Sequence, residues 1–189
     1  SEIRTAGGQA TPIRFNVAIP EEIDAGIETI LKETKKIDIL VNNAGITKDG
    51  LSARYSVADW DQVQDTNLRG AFLTTQALLR PMMKERKGSV INICSTYGLN
   101  GPDQRVYIKD GKRVAFKPVY YTVTKAGMMG FTKYLAAYYA GTEIRVNALT
   151  PGGVFNNHEE YFVTNYSAKT ILGRMARKDE MNGALLFLA

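Results

Sequence analysis

Short apolar runs alternate with stretches of helical periodicity along the chain, and this alternation limits the fold more than any other feature. The runs cover residues 12–18, 37–41, 88–93 and 143–149. Helices are predicted around them over residues 20–31, 57–86 (bent near Pro81), 121–140 and 175–188. Because each run is almost entirely apolar, we expect strands that are buried on both faces. The sequence therefore predicts an α/β fold with a parallel sheet between two layers of helices.

Composition excludes several classes of function. The net charge of +5 is spread along the 189 residues, so nucleic-acid binding has no support. One Cys and one His exclude a zinc site of the usual nitrogen and sulfur ligands. No apolar stretch approaches the roughly 20 residues that cross a bilayer, which argues against a membrane protein. A single Cys suits a reducing compartment, so we expect a cytoplasmic protein with one domain.

Polar residues follow three of the predicted strands at the point where each strand ends. They are Asn42–Gly45, Ser95 and Pro151-Gly152. In an open parallel sheet, ligands bind beyond the carboxyl ends of the strands. The sequence therefore predicts a ligand cleft at this edge.

Tyr121 and Lys125 lie four residues apart at the start of a predicted helix, so both side chains project from one face. A tyrosine phenol has a pKa of about 10, and a nearby ammonium lowers that pKa by favouring the phenolate. Tyr121 is therefore a candidate general acid and base, with Lys125 as the group that adjusts it. The alternative is an ordinary amphipathic helix, because this spacing also arises by chance.

Two further residues are candidates near the same edge. Ser95 directly follows a predicted strand, where its hydroxyl either donates to a substrate carbonyl or only caps the following turn. Asn67 occupies a mid-helix position that disfavours asparagine, so its side chain either holds a group such as a water or faces solvent. No Gly-x-Ser-x-Gly elbow surrounds Ser95, and His158 is predicted on a surface loop, which together disfavour a hydrolase. Cys94 is expected to point into the core.

Together these residues resemble the motifs of the short-chain dehydrogenase/reductase family, in its classical type. The matching segments are Asn42-Asn43-Ala44-Gly45, Asn67, Ser95, Tyr121 with Lys125, and Arg145-Val146-Asn147 with Pro151-Gly152. The likeness covers essentially all 189 residues. It implies a Rossmann-like doubly wound parallel sheet. It also implies an NAD(P)-dependent oxidoreductase that passes hydride between its cofactor, NAD or NADP, and a carbonyl or alcohol.

The resemblance also implies roles for individual residues. Tyr121 transfers the proton, and Ser95 orients the substrate oxygen. Lys125 adjusts Tyr121 and binds the nicotinamide ribose, while Asn67 anchors a water. Cofactor contacts are implied at Asn16, Val17, Asn42, Asn43, Ala44, Gly45, Tyr121, Lys125, Pro151, Gly152 and Val154. The residue that chooses between NAD and NADP follows a strand outside this sequence, so that choice stays open.

The sequence departs from the family at both ends. The glycine-rich phosphate loop of the family has no counterpart here. We expect the first two strands and the last strand of the family fold to be missing as well, so residues 1–189 form a partial cofactor-binding domain, truncated at both ends. Because such a sheet exposes unpaired edges, we expect the fragment neither to fold stably nor to be active by itself.

An insertion is indicated at about residues 103–116, because Ser95 and Tyr121 are 26 residues apart, about twice the usual separation in the family. Residues 106–114 predict a β-hairpin that turns at Asp110-Gly111. We expect the hairpin near the substrate mouth, where its cations are able to attract an anionic substrate. These cations are Arg105, Lys109, Lys112 and Arg113. A solvent-facing hairpin or a subunit contact is the alternative.

Asn156 is a further departure from the family, because many members carry threonine at this position after Pro151-Gly152.

The resemblance thus implies an enzyme that interconverts a secondary alcohol and a ketone. The hairpin and a general likeness to sugar-acid and surface-glycan-modifying members favour a sugar or polyol as the small-molecule substrate. A 3-oxoacyl-acyl-carrier-protein reductase has nearly the same motifs. A cofactor-binding regulatory protein without turnover is the non-enzymatic alternative. Family members commonly pair through the helices at residues 57–86 and 121–140, so we expect a homo-oligomer, a dimer or tetramer.

Overall fold

The computed structural model describes residues 2–48 and 54–189 of the chain. The helices in these ranges are α1 Glu2–Thr5, α2 Pro20–Thr34, α3 Val57–Gln64, α4 Gly70–Glu85, α5 Val119–Tyr138, α6 Glu160–Ser167 and α7 Asn182–Leu188. The strands are β1 Ile39–Asn42, β2 Lys87–Ile93, β3 Ile108–Lys109, β4 Lys112–Arg113 and β5 Glu143–Leu149. The alternation of strands and helices confirms the α/β class.

A parallel sheet with the order β1-β2-β5 forms the centre of the described fold. Ile39 of β1 pairs with Ser89 of β2, and Lys87 of β2 pairs with Glu143 of β5. Val90 and Ile91 of the middle strand are completely buried, as expected for a strand covered on both faces. All three strands run in the same direction, so their carboxyl ends meet at one edge.

Helices cover both faces of this sheet. On one face, Ile23 of α2, Leu78 of α4 and Leu135 of α5 join Val90 and Val146 in one apolar cluster. On the other face, α7 packs against β2 and β5. Ser89, which alternates with Val90 and so points to this second face, donates a hydrogen bond to the carbonyl of Leu188. The Rossmann-like arrangement predicted from the sequence is confirmed.

Three predicted elements differ from the structure. Residues 12–18 do not form a strand, because no strand in the described ranges lies beside them to complete a ladder. The helix predicted over residues 57–86 is interrupted by a π-helical turn, Asp65–Arg69, while α4 continues through Pro81. The last helix begins at Asn182, because a parallel bridge between Val154 and Ala176 holds the preceding segment.

The predicted hairpin is present as β3 and β4. Ile108 pairs with Arg113, and Lys109 pairs with Lys112. Asp110 and Gly111 both have positive φ angles, 50° and 74°, which is the geometry of a two-residue hairpin turn. Within the described residues, no helix is long and apolar enough to span a membrane.

Candidate active site

A cavity of about 630 Å³ lies at the carboxyl ends of the parallel strands, where the sequence predicts a ligand cleft. The loops after β1, β2 and β5 and the start of α5 all contribute to it. Residues predicted for the site that line this cavity are Asn43, Gly45, Ser95, Tyr121, Lys125, Pro151, Gly152 and Val154. The fold therefore gathers residues that are more than 100 positions apart in the sequence into one cavity.

Lys125 is held at the back of this cavity by a single backbone contact. Its Nζ donates to the carbonyl of Ile93, the last residue of β2, over 2.5 Å. The side chain is buried, and this desolvation lowers the pKa of Lys125. Its Nζ lies 5.8 Å from the centre of the Tyr121 ring, so the two side chains share one face of α5 as predicted. The bond to Ile93 fixes the ammonium relative to the sheet.

Ser95 lies at the point where β2 ends and a short 3-10 helix, Thr96–Gly98, begins. Its Oγ accepts a hydrogen bond from the backbone N–H of Tyr97 over 3.2 Å, so Ser95 caps this helix. A hydroxyl that accepts one bond still has its O–H to donate. The capping role and the proposed substrate contact are therefore compatible in one side chain.

Asn67 lies in the π-helical turn and connects three segments. Its Oδ1 accepts from the backbone N–H of Ile46 over 2.7 Å, and its Nδ2 donates to the carbonyl of Ile46 over 2.9 Å. The second amide hydrogen points to Thr124 Oγ1 of α5 at 3.4 Å. A π turn often marks a functional position, because the extra residue redirects a side chain. Here the redirected amide fixes the loop after β1, and the role of Asn67 as a water anchor stays a prediction.

Four residues predicted for cofactor binding do not line the cavity. The amide of Asn42 turns inward and donates to Thr75 Oγ1 and Asn92 Oδ1, both over 2.8 Å, so it joins two strands and α4.

Ala44, another of these residues, is exposed beside the cavity. Asn16 and Val17 precede α2, where the side chain of Asn16 accepts from the N–H of Ala18 and forms a local turn. Asn156, outside the cavity too, donates its backbone N–H to His158 Nδ1.

The four cations expected near the substrate mouth, Arg105, Lys109, Lys112 and Arg113, are not among the residues that line the cavity. Arg105 forms an ion pair with Asp103 at 2.7 Å, and Lys109 forms one with Glu159 at 3.0 Å. The guanidinium of Arg113 lies over the ring of Phe116. These side chains therefore stabilise the insertion itself and its contact with the segment before α6.

One wall of the cavity was not predicted from the sequence. This wall consists of Tyr107 from the insertion, Lys117 directly after the insertion, Tyr161, Phe162 and Tyr166 from α6, and His158. His158 lies on an exposed loop, as predicted, and its ring stacks on that of Phe162 with 5.1 Å between ring centres. The sequence does contain a signal for this wall, which is the cluster of aromatic residues after Pro151-Gly152. Residues in a loop at the ligand-binding edge of a sheet more often recognise a ligand than serve only in packing.

Comparison with known proteins identifies the family. The family described as short chain dehydrogenase matches residues 1–166. The chain belongs to this short-chain dehydrogenase family. Family members use NAD or NADP, so this is the chain of an NAD(P)-dependent oxidoreductase.

Curated relatives within the family share about a third or more of their residues with this chain. A 3-oxoacyl-acyl-carrier-protein reductase of Synechocystis sp. is 38% identical over 195 residues, covering 100% of this chain and 72% of that protein. The reductase of the same name from Aquifex aeolicus is 38% identical over 186 residues, covering 96% of this chain and 70% of its own length.

Solved structures of short-chain dehydrogenases superpose closely. A short chain dehydrogenase from Leptospira borgpetersenii with bound NAD⁺ gives a TM-score of 0.85 at 36% identity, covering 93% of this chain and 66% of that one. A gluconate 5-dehydrogenase from Burkholderia cenocepacia, solved with NADP and tartrate, gives a TM-score of 0.87 at 29% identity, covering 100% of this chain and 71% of that one.

The residues of the cavity fit the nicotinamide half of such a cofactor. Lys125 supplies an ammonium suited to ribose hydroxyls, and Asn43 supplies an amide. Packing alone does not require glycine at Gly45 or Gly152, since a Cβ added there would be in ordinary contact with Asn67 at 3.5 Å or with the Tyr166 hydroxyl at 3.4 Å. Within the described residues, no group of three acidic, His or Cys side chains is placed to hold a metal ion.

Proposed function

We propose that the full-length protein interconverts a secondary alcohol and a ketone in this cavity. The observation that carries the proposal is that Ser95, Tyr121 and Lys125 line one cavity together with Gly45 and Gly152. The bound cofactor supplies or accepts the hydride. We assign the catalytic set as Ser95, Tyr121 and Lys125, with Asn67, which does not line the cavity, as a residue that acts through the loop after β1.

Each of these residues has a task that its contacts support. The phenol of Tyr121 passes the proton to or from the substrate oxygen. The Ser95 O–H donates to that oxygen and stabilises the charge that develops on it. Lys125 is kept in place by the Ile93 carbonyl, and Asn67 keeps the loop after β1 in position through Ile46.

We propose a sugar or polyol as the substrate. Tyr97, Tyr107, Tyr161 and Tyr166 line the cavity, and the hydroxyl of Tyr166 accepts a hydrogen bond from the backbone N–H of Gly153. Burial raises the pKa of Tyr97 to about 12. The hydroxyl of a tyrosine is neutral at physiological pH and is able to donate a hydrogen bond. Rings that combine an apolar face with a polar tip suit a ring or chain that carries several hydroxyl groups.

A 3-oxoacyl-acyl-carrier-protein reductase is the second candidate. Its support is the name of the relatives at 38% identity. The two candidates differ in the substrate that reaches Tyr121, because an acyl thioester requires room for a long arm whereas a sugar does not. Comparison of kcat/KM for acetoacetyl thioesters and for keto sugars therefore separates them.

We also propose that the protein assembles with itself and works in the cytoplasm. A groove of about 290 Å³ runs between α4 and α5 and is lined by Phe72, Met83 and Phe131. Tyr134 and Tyr138 extend this apolar surface and are more than 60% exposed in the single chain. Exposed patches of this kind mark association surfaces. The single cysteine is a buried free thiol, which suits a reducing compartment.

The test is a carbonyl panel assayed with NADH and NADPH on the full-length protein and two variants. Tyr121→Phe and Ser95→Ala are each expected to lower kcat at least 100-fold, because they remove the proton donor and the oxyanion contact. Tyr134→Phe, on an exposed turn of the same helix, is the matched control and is expected to retain activity. Unchanged turnover in Tyr121→Phe would overturn the mechanism. Binding of NADH without reduction of any carbonyl would favour the regulatory protein.

A further inference from the structure

The loop between β5 and α6 places His158, the single histidine of these 189 residues, at the cavity. The backbone of this loop is anchored just before the histidine, because the N–H of Phe155 donates to the carbonyl of Ala176 over 2.8 Å. Asn157 then turns the chain with a φ angle of 54°, a left-handed conformation that asparagine adopts more readily than most residues. His158 is therefore carried by a turn that is tied to a neighbouring segment.

The imidazole ring of His158 contacts two aromatic rings. Its centre lies 5.1 Å from that of Phe162, with 22° between the two planes, and 6.2 Å from that of Phe155. The stacking on Phe162 joins the loop to α6 and restricts the rotation of the imidazole. His158 is nevertheless exposed and lines the cavity, so its ring is positioned without being buried in the core.

One hydrogen bond decides which nitrogen of His158 carries the proton. The backbone N–H of Asn156 donates to Nδ1 over 3.1 Å, so Nδ1 is an acceptor. A neutral imidazole has one acceptor nitrogen and one donor nitrogen, and the hydrogen is therefore on Nε2. Within residues 2–48 and 54–189, no protein group accepts a hydrogen bond from this Nε2–H. The Nε2–H is thus a donor at the cavity that these residues do not use among themselves.

We propose that His158 donates this hydrogen to a hydroxyl oxygen of the substrate and so selects a polyhydroxylated substrate. This inference rests on the proposed function and names a residue that determines its specificity. The oxygen is not the reacting one, which Ser95 and Tyr121 contact. The stacked rings of His158 and Phe162 also present an apolar face beside the donor, which suits the C–H groups of a sugar or polyol. A substrate without an oxygen at this point loses the hydrogen bond and binds less tightly.

The test compares two six-carbon alcohols, D-glucitol, with a hydroxyl on every carbon, and 2-hexanol, with a single hydroxyl. Their Kd values are measured by calorimetry on the full-length protein with NADH or NADPH bound, so that the alcohol is not oxidised. His158→Asn keeps an acceptor near the position of Nδ1 but removes the Nε2 donor. It is expected to raise the Kd of D-glucitol about 5- to 10-fold and to change that of 2-hexanol less than about 2-fold.

Two further variants separate the donor from the loop contact. The amide nitrogen of His158→Gln reaches the position of Nε2, so this variant is expected to bind D-glucitol within about 3-fold of the wild type. Glu160→Gln is the matched control, because Glu160 is exposed at the start of α6 and does not line the cavity. Wild-type affinity for D-glucitol in His158→Asn overturns the inference. A loss in His158→Gln as large as that in His158→Asn also overturns it, because the replacement donor then restores nothing.

Nuclear magnetic resonance tests the tautomer without relying on turnover. In full-length protein labelled with nitrogen-15 at histidine, two-bond proton–nitrogen spectra show which ring nitrogen is protonated, and loss of the signal in His158→Gln identifies it. The wild type is expected to show the Nε2–H form at about pH 8.5, about two units above the pKa of histidine in model peptides. D-Glucitol is expected to shift the Nε2 resonance more than that of Nδ1. A proton on Nδ1, or no shift at saturating D-glucitol, overturns the inference.

The inference and the proposed function fail on different results. If D-glucitol binding depends on His158 but Tyr121→Phe reduces carbonyls like the wild type, the proposed function fails and the binding contact stands. If Tyr121→Phe is inactive while His158→Asn binds D-glucitol like the wild type, the inference alone fails.

Discussion

Lys125 is a charged residue that the fold buries at the cavity, although its burial is unfavourable in free energy. A buried ammonium loses hydration, and in this case burial lowers the pKa of the side chain while one carbonyl, that of Ile93, accepts a hydrogen bond from it. Groups perturbed in this way cluster at functional sites, and Lys125 lies in the cavity beside Tyr121. The spacing of Tyr121 and Lys125 is evident in the sequence. The bond to Ile93 is not, because it joins α5 to a strand 32 positions earlier.

Cys94 gives a prediction at the scale of one residue. It is buried beside Lys125, and desolvation raises the pKa of its thiol above the ordinary value of 9.0. The reactive thiolate is therefore scarce until the pH exceeds that value. In the folded full-length protein at pH 7.5, alkylation of Cys94 is expected to be at least 100-fold slower than in urea, and to accelerate as the pH rises above about 9.

Mass spectrometry of the Cys94 peptide after treatment with iodoacetamide measures this rate. Cys94 is the only cysteine of these 189 residues, so the peptide reports one site. Rapid alkylation at pH 7.5 in protein that remains folded would contradict the burial of the thiol.

At the scale of elements, the junction of β2, the 3-10 helix and α5 sets the geometry of the catalytic residues. The 3-10 helix lies directly against α5, and Gly98 makes the contact possible. A Cβ at Gly98 would lie 2.7 Å from the backbone carbonyl of Lys125. Since that neighbour is backbone, the added atom can only be accommodated if the two helices separate.

Gly98→Ala is therefore expected to lower the free energy of unfolding by about 1–3 kcal/mol, and to lower kcat by displacing Ser95 from Lys125. Urea denaturation and steady-state kinetics of the full-length protein measure the two effects. Gly101→Ala is the control, because a Cβ there has no described neighbour within 4 Å, and its free energy of unfolding is expected to change by less than about 0.5 kcal/mol. Equal stability of the two variants would show that the close approach is not needed.

The helix α6 shows why one element of the site was not predicted. Its aromatic residues Tyr161, Phe162 and Tyr166 face the cavity and the insertion, where Phe162 packs on Tyr107 with 5.3 Å between ring centres. Short helices owe their stability to packing and not to propensity. The sequence of residues 160–167 does not by itself show which face of the helix is covered. The residues that cover α6 lie in an insertion about 50 positions earlier in the chain.

At the scale of the whole molecule, the α4–α5 surface predicts the state of assembly. Phe72 is 44% exposed and packs against the edge of Phe131 at one end of the groove. Phe72→Glu places a charge on a surface that an apolar partner would cover. The dissociation constant of the full-length oligomer is therefore expected to rise at least 10-fold. Light scattering after size-exclusion chromatography over a concentration series measures this change.

Glu28→Gln is the matched control, because Glu28 lies on α2, does not line the groove, and pairs with the exposed Lys32. It is expected to leave the assembly unchanged. A wild-type protein that remains a monomer at micromolar concentration would contradict the proposed oligomer. Equal dissociation of both variants would instead locate the contact elsewhere.

The sequence by itself determined the α/β class, the parallel strands, the hairpin turn at Asp110-Gly111 and the catalytic candidates. Each of these depends on local patterns, either an apolar period or a motif of fixed spacing. Only the tertiary structure decided that the Asn42 amide joins two strands and α4, that Asn67 holds Ile46, and that Lys117 lines the cavity. These outcomes depend on contacts between distant segments, and the direction of a side chain is set by the neighbour that packs against it.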